Sequence, residues 1–326
     1  MPLITRLTER LGIRYPIISA PMAFVAGGAL AAAVTHAGGL GLIGGGYGDA
    51  DWLAREFTAA GNARIGCGFI TWSMASNPSV LTVALAHAPA VMMLSFGDPR
   101  PHAAEIKAAG SLLICQVQTL KTAREALEAG ADIIVAQGTE AGGHGAKRAT
   151  MTLVPEVGDL LRSEAPDTLL VAAGGIADGR GLAAALALGA DGVLMGSRFW
   201  AATEALTHPL HQAAALASNG DGTIRQTATD IARGYDWPAE FSARVLDNRF
   251  VQQWEHRPGE HRAMADANRV DYQAMAAAGD PDNVGVWVGE ATGLINDVMS
   301  AAAIIERTAQ EAEEIISRLG TLGKRR

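Results

Sequence analysis

The stretch Gln137-Gly-Thr-Glu-Ala-Gly-Gly-His-Gly145 sets one imidazole, His144, among Gly142, Gly143 and Gly145. An imidazole titrates near neutral pH and can serve as a general base. Flexible glycine backbone on both sides would let it be pushed into a cavity. The plainer role for it is a hydrogen bond to a cofactor or a carbonyl. Two more glycine groups stand at Ala173-Gly-Gly-Ile176 and Gly196-Ser-Arg198. Backbone N–H groups of Gly174, Gly175, Gly196 and Ser197 could cradle a phosphate, and a helix opening at Asp178 would add a positive dipole end. Tight turns alone are the competing explanation for these glycines.

Other reactive side chains point to less. His208 and His211 are three apart, but no third ligand is evident and Pro209 between them suits a helix start, so no metal site is expected. His36 reads as a packing residue inside an apolar helix; His87, His102, His256 and His261 read as surface or lid positions. Cys67 and Cys115 each sit in an apolar run and read as small buried hydrophobes.

Eight apolar runs would hold these groups. They are Tyr15–Met22, Leu40–Gly44, Arg64–Ile70, Ala90–Phe96, Leu112–Gln118, Asp132–Gln137, Leu169–Gly174 and Gly192–Gly196. Continuous apolar runs of this length mark strands buried on both faces. Helical stretches lie between them, with Thr119 and Asp178 as N-caps and Gly38, Gly39, Gly130 and Gly189 as stops. Most units repeat at intervals of roughly 20 to 26 residues, close to what one strand-and-helix unit needs. Eight in line predict an α/β fold, a (β/α)8 TIM barrel. Its chemistry would sit at the C-terminal strand ends: Ala20–Ala23, Gly68–Thr71, Gln116–Gln118, Gln137–Gly145, Ala173–Ile176 and Gly196–Arg198. Gly39-Leu-Gly41-Leu-Ile-Gly44 matches a dinucleotide fingerprint literally, but it follows a helix and runs into the second strand, so close packing explains it better.

Two places break the rhythm. Extra residues follow the sixth strand at Gly138–Thr152. After the eighth, residues 199–284 are more polar and richer in aromatics, and read as a mainly helical insertion covering the barrel mouth, with residues 1–198 and 285–326 forming the barrel. The closing helix is expected from about Glu290 to Leu319, with Leu294, Val298, Ala302, Ile305, Ala309, Ala312, Ile316 and Leu319 on its apolar face.

The chain has 326 residues, 49% hydrophobic, and a formal net charge of −8. That balance disfavours nucleic acid and anionic membrane as partners. Lys324, Arg325 and Arg326 read as a solvated basic tail. No charged side chain falls between Pro16 and Gly48, but its many glycines fit a buried α/β core better than a membrane span. Two thiols and no export signal suit the cytoplasm.

The whole chain resembles the nitronate monooxygenase family, whose relatives include FMN-dependent enoyl-ACP reductases and NADH:quinone reductases. The matching stretches are Tyr15–Met22, Ala37–Gly41, Gly138–Gly145, Ala172–Gly179, Leu188–Phe199 and Gly289–Gly293. The resemblance implies FMN, with Ala20, Pro21 and Met22 beside the flavin ring and backbone groups near its N5. Gly68 matches a contact position where relatives often carry Asn. Gln116 matches the donor at the pyrimidine edge. Gln137 and Ala173 fall at the ends of strands that carry the site. Gly142 and Gly143 would pass close to the ring or ribityl chain, Gly174, Gly175, Gly196 and Ser197 would bind the phosphate, and His144 matches the active-site histidine. The implied reaction is oxidation of an alkyl nitronate, such as propionate 3-nitronate, by dioxygen to a carbonyl compound and nitrite. An NAD(P)H-dependent FMN reductase of the enoyl-ACP or quinone type is the alternative, since Glu140–His144 and Met151–Pro155 also resemble those enzymes. The implied partners are a small-molecule substrate and dioxygen, with a homodimer as the candidate assembly.

Overall fold

Every one of the eight apolar runs holds a strand in the computed structural model, which describes residues 3–322. The basic tail at Lys324–Arg326 lies outside the described residues. The strands are β1 (Ile17–Ser19), β2 (Leu42–Gly46), β3 (Gly66–Ile70), β4 (Val91–Ser95), β5 (Leu112–Val117) and β6 (Ile133–Gln137). A short β7 (Gly143–Gly145) interrupts the series before β8 (Leu169–Ala173) and β9 (Gly192–Met195). All but β7 form one parallel sheet in the order β1-β9-β8-β6-β5-β4-β3-β2. A parallel bridge from Ile18 to Leu40 joins its two ends, with Ser19 N–H donating to the Leu40 carbonyl at 3.0 Å. The fold is a TIM barrel.

Burial explains why alternation is missing from these runs. In β4, Val91 and Met93 belong to an inner cluster with Ile18, Ile114 and Val171, while Met92 and Leu94 pack outward against the helices. Both faces are dry, so both must be apolar. Leu7 and Leu11, from the helix Arg6–Leu11, join the inner cluster and fill that end of the barrel.

The glycines of the false dinucleotide fingerprint are packing residues. A Cβ on Gly41 would stand 1.9 Å from the Ala31 carbonyl oxygen, and one on Gly44 2.1 Å from that of Met22. Both thiols are buried, and burial pushes Cys67 and Cys115 up to about 12, so neither supplies a thiolate near neutral pH.

Four points refine or correct the expectations. First, residues 199–284 hold helices at Pro209–Leu216, Ala228–Arg233, Arg249–Trp254 and Pro258–Ala278, but also β10 (Thr223–Gln226) and β11 (Ser242–Leu246). These form an antiparallel sheet in the order β10-β11-β7. Each is short, and Arg225 and Arg244 interrupt what would otherwise read as an apolar strand. Second, the barrel and the insertion pack against each other across 198 and 285. Phe199 lies in the main core, and Val286 and Val288 cluster with Leu246 and Ala215 of the insertion. Third, the closing helix runs Ala301–Leu319, because Ser300 caps it by accepting from Ala303 N–H. Its buried face is Ala301, Ile304, Ile305, Thr308, Ala309 and Ala312; Leu294, Val298, Ala302, Ile316 and Leu319 are exposed. Fourth, His36 is exposed at a helix end, whereas His261 is buried, its ring stacked 4.5 Å from that of Trp254. Among the described residues, no helix is long and apolar enough to cross a membrane, and no group of three or more metal-ligating side chains occurs.

Candidate active site

A cavity of about 1280 Å³, its open mouth included, occupies the C-terminal end of the barrel. Ala20, Pro21, Met22, Gly68, Gln116, Gln137, Gly142, Gly143, His144, Ala173, Gly174, Gly175, Gly196 and Ser197 all line it. The structure thus brings together every site residue named from the sequence.

His144 is not on a flexible loop, as its glycine neighbours suggested. It lies in β7, opposite Ala243 of β11. Arg225 donates to the Thr139 and Ala141 carbonyls at 3.0 and 3.2 Å, and Arg244 to Thr139 at 3.1 Å, fixing the preceding turn. Gln137 holds the strand itself: its amide donates to the His144 carbonyl at 3.0 Å and accepts from Gln116 at 3.2 Å and Gln118 at 2.9 Å. Gln137 is therefore a positioning residue, while one N–H of Gln116 is left for the cavity.

The imidazole of His144 faces Asp230, with Nε2 3.0 and 2.9 Å from its two carboxylate oxygens. A carboxylate only accepts, so the ring proton sits on Nε2. No group among the described residues bonds Nδ1. The Trp237 ring stacks on the imidazole at 3.4 Å, with Phe96 edge-on at 6.2 Å. Burial holds the histidine below its ordinary pKa; the hydrogen bond and charge of Asp230 oppose that shift without reversing it. His144 is thus neutral at neutral pH, with a lone pair on Nδ1 and a carboxylate behind it.

The glycines divide by physical role. Gly174 and Gly175 have φ of +102° and +74°, which only glycine adopts freely, and Gly143 has +70°. A Cβ on Gly68 would lie 2.4 Å from the Pro21 ring, so its smallness lets Pro21 seat rather than admitting a ligand contact. Gly142 is held likewise against the Val288–Gly289 backbone, where a Cβ would stand 2.5 Å away.

Donors for an anion are present, with two corrections. Among the described residues, the N–H groups of Gly174, Gly175, Gly196 and Ser197 meet no protein acceptor. The helix behind them that lacks a side-chain cap is Ser197–Trp200. The helix Gly179–Ala187 is already capped by Asp178, which accepts from Arg180 and Gly181 N–H, while Glu311 takes Gly179 N–H. At the other end, the Ala20 and Met22 amides are committed to the Met195 and Ala20 carbonyls, so the nearest open amide there is that of Ala23.

Sequence reading missed Asp230, Tyr47, Phe96, Arg233, Trp237 and Trp287. The last five line the cavity. Each stands alone in its local sequence and carries no motif. For Trp237 the hint was the aromatic enrichment of residues 199–284; Tyr47, Phe96 and Trp287 lie outside that segment. Phe96, at the end of β4, has φ +64°, a strained setting for a bulky residue and one typical of functional sites.

The chain matches the family model described as nitronate monooxygenase over residues 4–64 and 71–311. It is 34% identical to a nitronate monooxygenase from Neurospora crassa, covering 93% of this chain and 90% of the relative. Among solved structures it resembles FabK from Thermotoga maritima, with TM-score 0.85, 31% identity and 97% and 98% of the two chains covered. It also resembles a nitroalkane oxidase from Streptomyces ansochromogenes, with TM-score 0.79, 29% identity and 94% and 98% covered.

Proposed function

The chain belongs to the nitronate monooxygenase family, and from that membership we propose that it is an FMN enzyme oxidising alkyl nitronates with dioxygen to carbonyl compounds and nitrite. The observation that carries this reading is one cavity holding both an uncommitted amide cradle and a neutral, carboxylate-backed imidazole.

The residues fit FMN on their own geometry. Two left-handed glycines, Gly174 and Gly175, keep backbone amides bare where a phosphate would lie, and Gly196 and Ser197 complete the cradle at an uncapped helix start. The Ser197 hydroxyl accepts from Gly289 N–H at 2.9 Å, which turns its own proton outward. Gln116 offers an N–H suited to negative charge on the pyrimidine edge of a reduced flavin. When bound, FMN supplies the electron acceptor for the nitronate and the route of electrons to dioxygen.

The chain's own work is binding, orientation and proton handling. A neutral nitroalkane must lose its α-proton, and His144 Nδ1 can take it. The imidazolium so formed is charged in a dry site, and Asp230 stabilises it from behind. The Trp237 stack holds the ring plane while this happens. A substrate already ionised as its nitronate skips the step and asks only for orientation. Tyr47, Phe96, Trp237 and Trp287 give the cavity an aromatic wall around this step.

The test is anaerobic. Purified yellow protein mixed with a nitronate should bleach, and the same mixture in air should release nitrite. Rapid bleaching by NADH or NADPH, with no nitrite from nitronate in air, would replace this reading with a pyridine-nucleotide-dependent FMN reductase.

A further inference from the structure

Among the charged side chains that line the cavity, Arg233 stands apart. Glu140 is turned to Thr150, accepting from its backbone N–H at 3.0 Å and its hydroxyl at 2.8 Å. Asp230, one turn earlier on the helix Ala228–Arg233, is not part of the cavity lining and is occupied by His144. Arg233 has neither an ion pair nor a hydrogen bond to any of the described residues.

Aromatic faces hold it instead. Its guanidinium carbon lies 4.7 Å from the centroid of Tyr235, 5.2 Å from Trp287 and 5.6 Å from Tyr47. Tyr235 and Tyr47 are themselves stacked at 3.8 Å, and Trp237 donates to the Tyr47 hydroxyl at 3.1 Å. Such packing orients the planar cation through its faces and leaves its edge of N–H donors unengaged. A half-buried guanidinium with open donors at a ligand cavity favours an anion with two coplanar oxygens, the geometry of its fork.

We propose that Arg233 is the specificity-determining anion receptor of this cavity, pairing with a planar two-oxygen group of the substrate. A nitronate and a carboxylate both present that group. The identity of the substrate rests on the function proposed above; the anion recognition does not.

The experiment uses holoenzyme of wild type, Arg233→Gln and Arg233→Lys. Calorimetric titration with propionate, and with propionamide as its uncharged isostere, reads binding without turnover. Propionate should bind wild type and propionamide should not. Arg233→Gln should weaken propionate by about tenfold or more, the usual scale of a lost charge-assisted hydrogen bond. Steady-state nitrite release then compares ethyl nitronate with propionate 3-nitronate. In Arg233→Gln the KM should rise about tenfold with kcat changed less than about threefold, the pattern of lost uniform binding. A rise for both substrates assigns the nitronate group to Arg233; a rise for propionate 3-nitronate alone assigns the distal carboxylate.

Equal propionate affinity in wild type and Arg233→Gln, or a fall in kcat at unchanged KM, overturns the proposal. Should Arg233→Gln fail to fold, Arg233→Lys decides, because it keeps the charge without the fork; wild-type affinity for propionate in that variant also overturns it. Absence of nitronate turnover by wild type would sink the proposed reaction, and the propionate titration would then decide the role of Arg233 by itself.

Discussion

His144 Nε2 lies 2.9 Å from a carboxylate oxygen of Asp230, a residue 86 positions further along the chain. The pair is buried, and the Trp237 ring covers one face of the imidazole. Burial makes the neutral histidine the resting form, and the carboxylate makes its protonated form reachable.

Replacing His144 with Asn should therefore hit neutral nitroalkanes hardest. The expected loss is roughly 10²–10⁴-fold in kcat/KM, the usual contribution of a positioned base. Loss with the ionised nitronate should be much smaller, and flavin content should be unchanged. Nitrite release from both forms of one substrate checks this; equal losses would remove the proton-transfer role.

Asp230→Asn should weaken the base without deleting it. Removing the carboxylate takes away what opposes the downward shift of His144, so its pKa should fall further. The acid limb of the pH profile for neutral nitroalkanes should move to lower pH, with a lower plateau. A profile displaced upward would contradict the dyad.

The same shift carries a stability consequence. His144 in the folded chain sits below its ordinary value, so around that value the unfolded chain binds more protons. Stability is then fully present above the unfolded pKa of about 6.5 and is lost as pH falls toward the folded value. Denaturant midpoints measured through this window should fall with acid, and His144→Asn should flatten that portion of the curve.

Gly174→Ala should lower both stability and flavin retention. At φ +102° an L-residue is strained, and its Cβ would approach the Gly138 carbonyl oxygen and the Thr150 hydroxyl at 2.9 Å. The backbone strain alone costs about 1–3 kcal/mol. Melting temperature and the ratio of bound flavin to protein report the two effects.

Gln137→Leu should be costly without touching the base directly. It strands the amides of Gln116 and Gln118 and the His144 carbonyl. The buried Gln118 amide and His144 carbonyl left unpaired cost about 1–3 kcal/mol each, and the half-buried Gln116 amide less. We expect lower denaturant resistance together with reduced turnover, and Gln137→Glu, which can still accept from Gln116 and Gln118, should recover part of the stability.

Much of the scaffold is legible in the amino-acid order. A strand dry on both sides must be apolar throughout, so the barrel strands stand out as unbroken runs. Their ends are marked by glycines that a crowded backbone requires, and Ala20, Gln116, Gly174 and Gly196 follow from those ends. The β10 and β11 strands escape notice because each is only four or five residues long and carries an arginine, half-buried at Arg225 and buried at Arg244. Arg225 is satisfied by carbonyls of Thr139, Ala141 and Ser242, a pairing that no local pattern announces. Burial presses its pKa down to about 10.

What the amino-acid order determined by itself is periodic and local: which segments must be dry, where the chain must turn, and hence a barrel with its chemistry at one end. What only the folded chain decided is who meets whom across that end. Pairing of β7 with β11 turns His144 inward, and the helix Ala228–Arg233 brings Asp230 behind it and Arg233 to the cavity wall. Those meetings depend on closing long loops and packing remote surfaces together, and single polar residues on short elements leave no periodic trace of either.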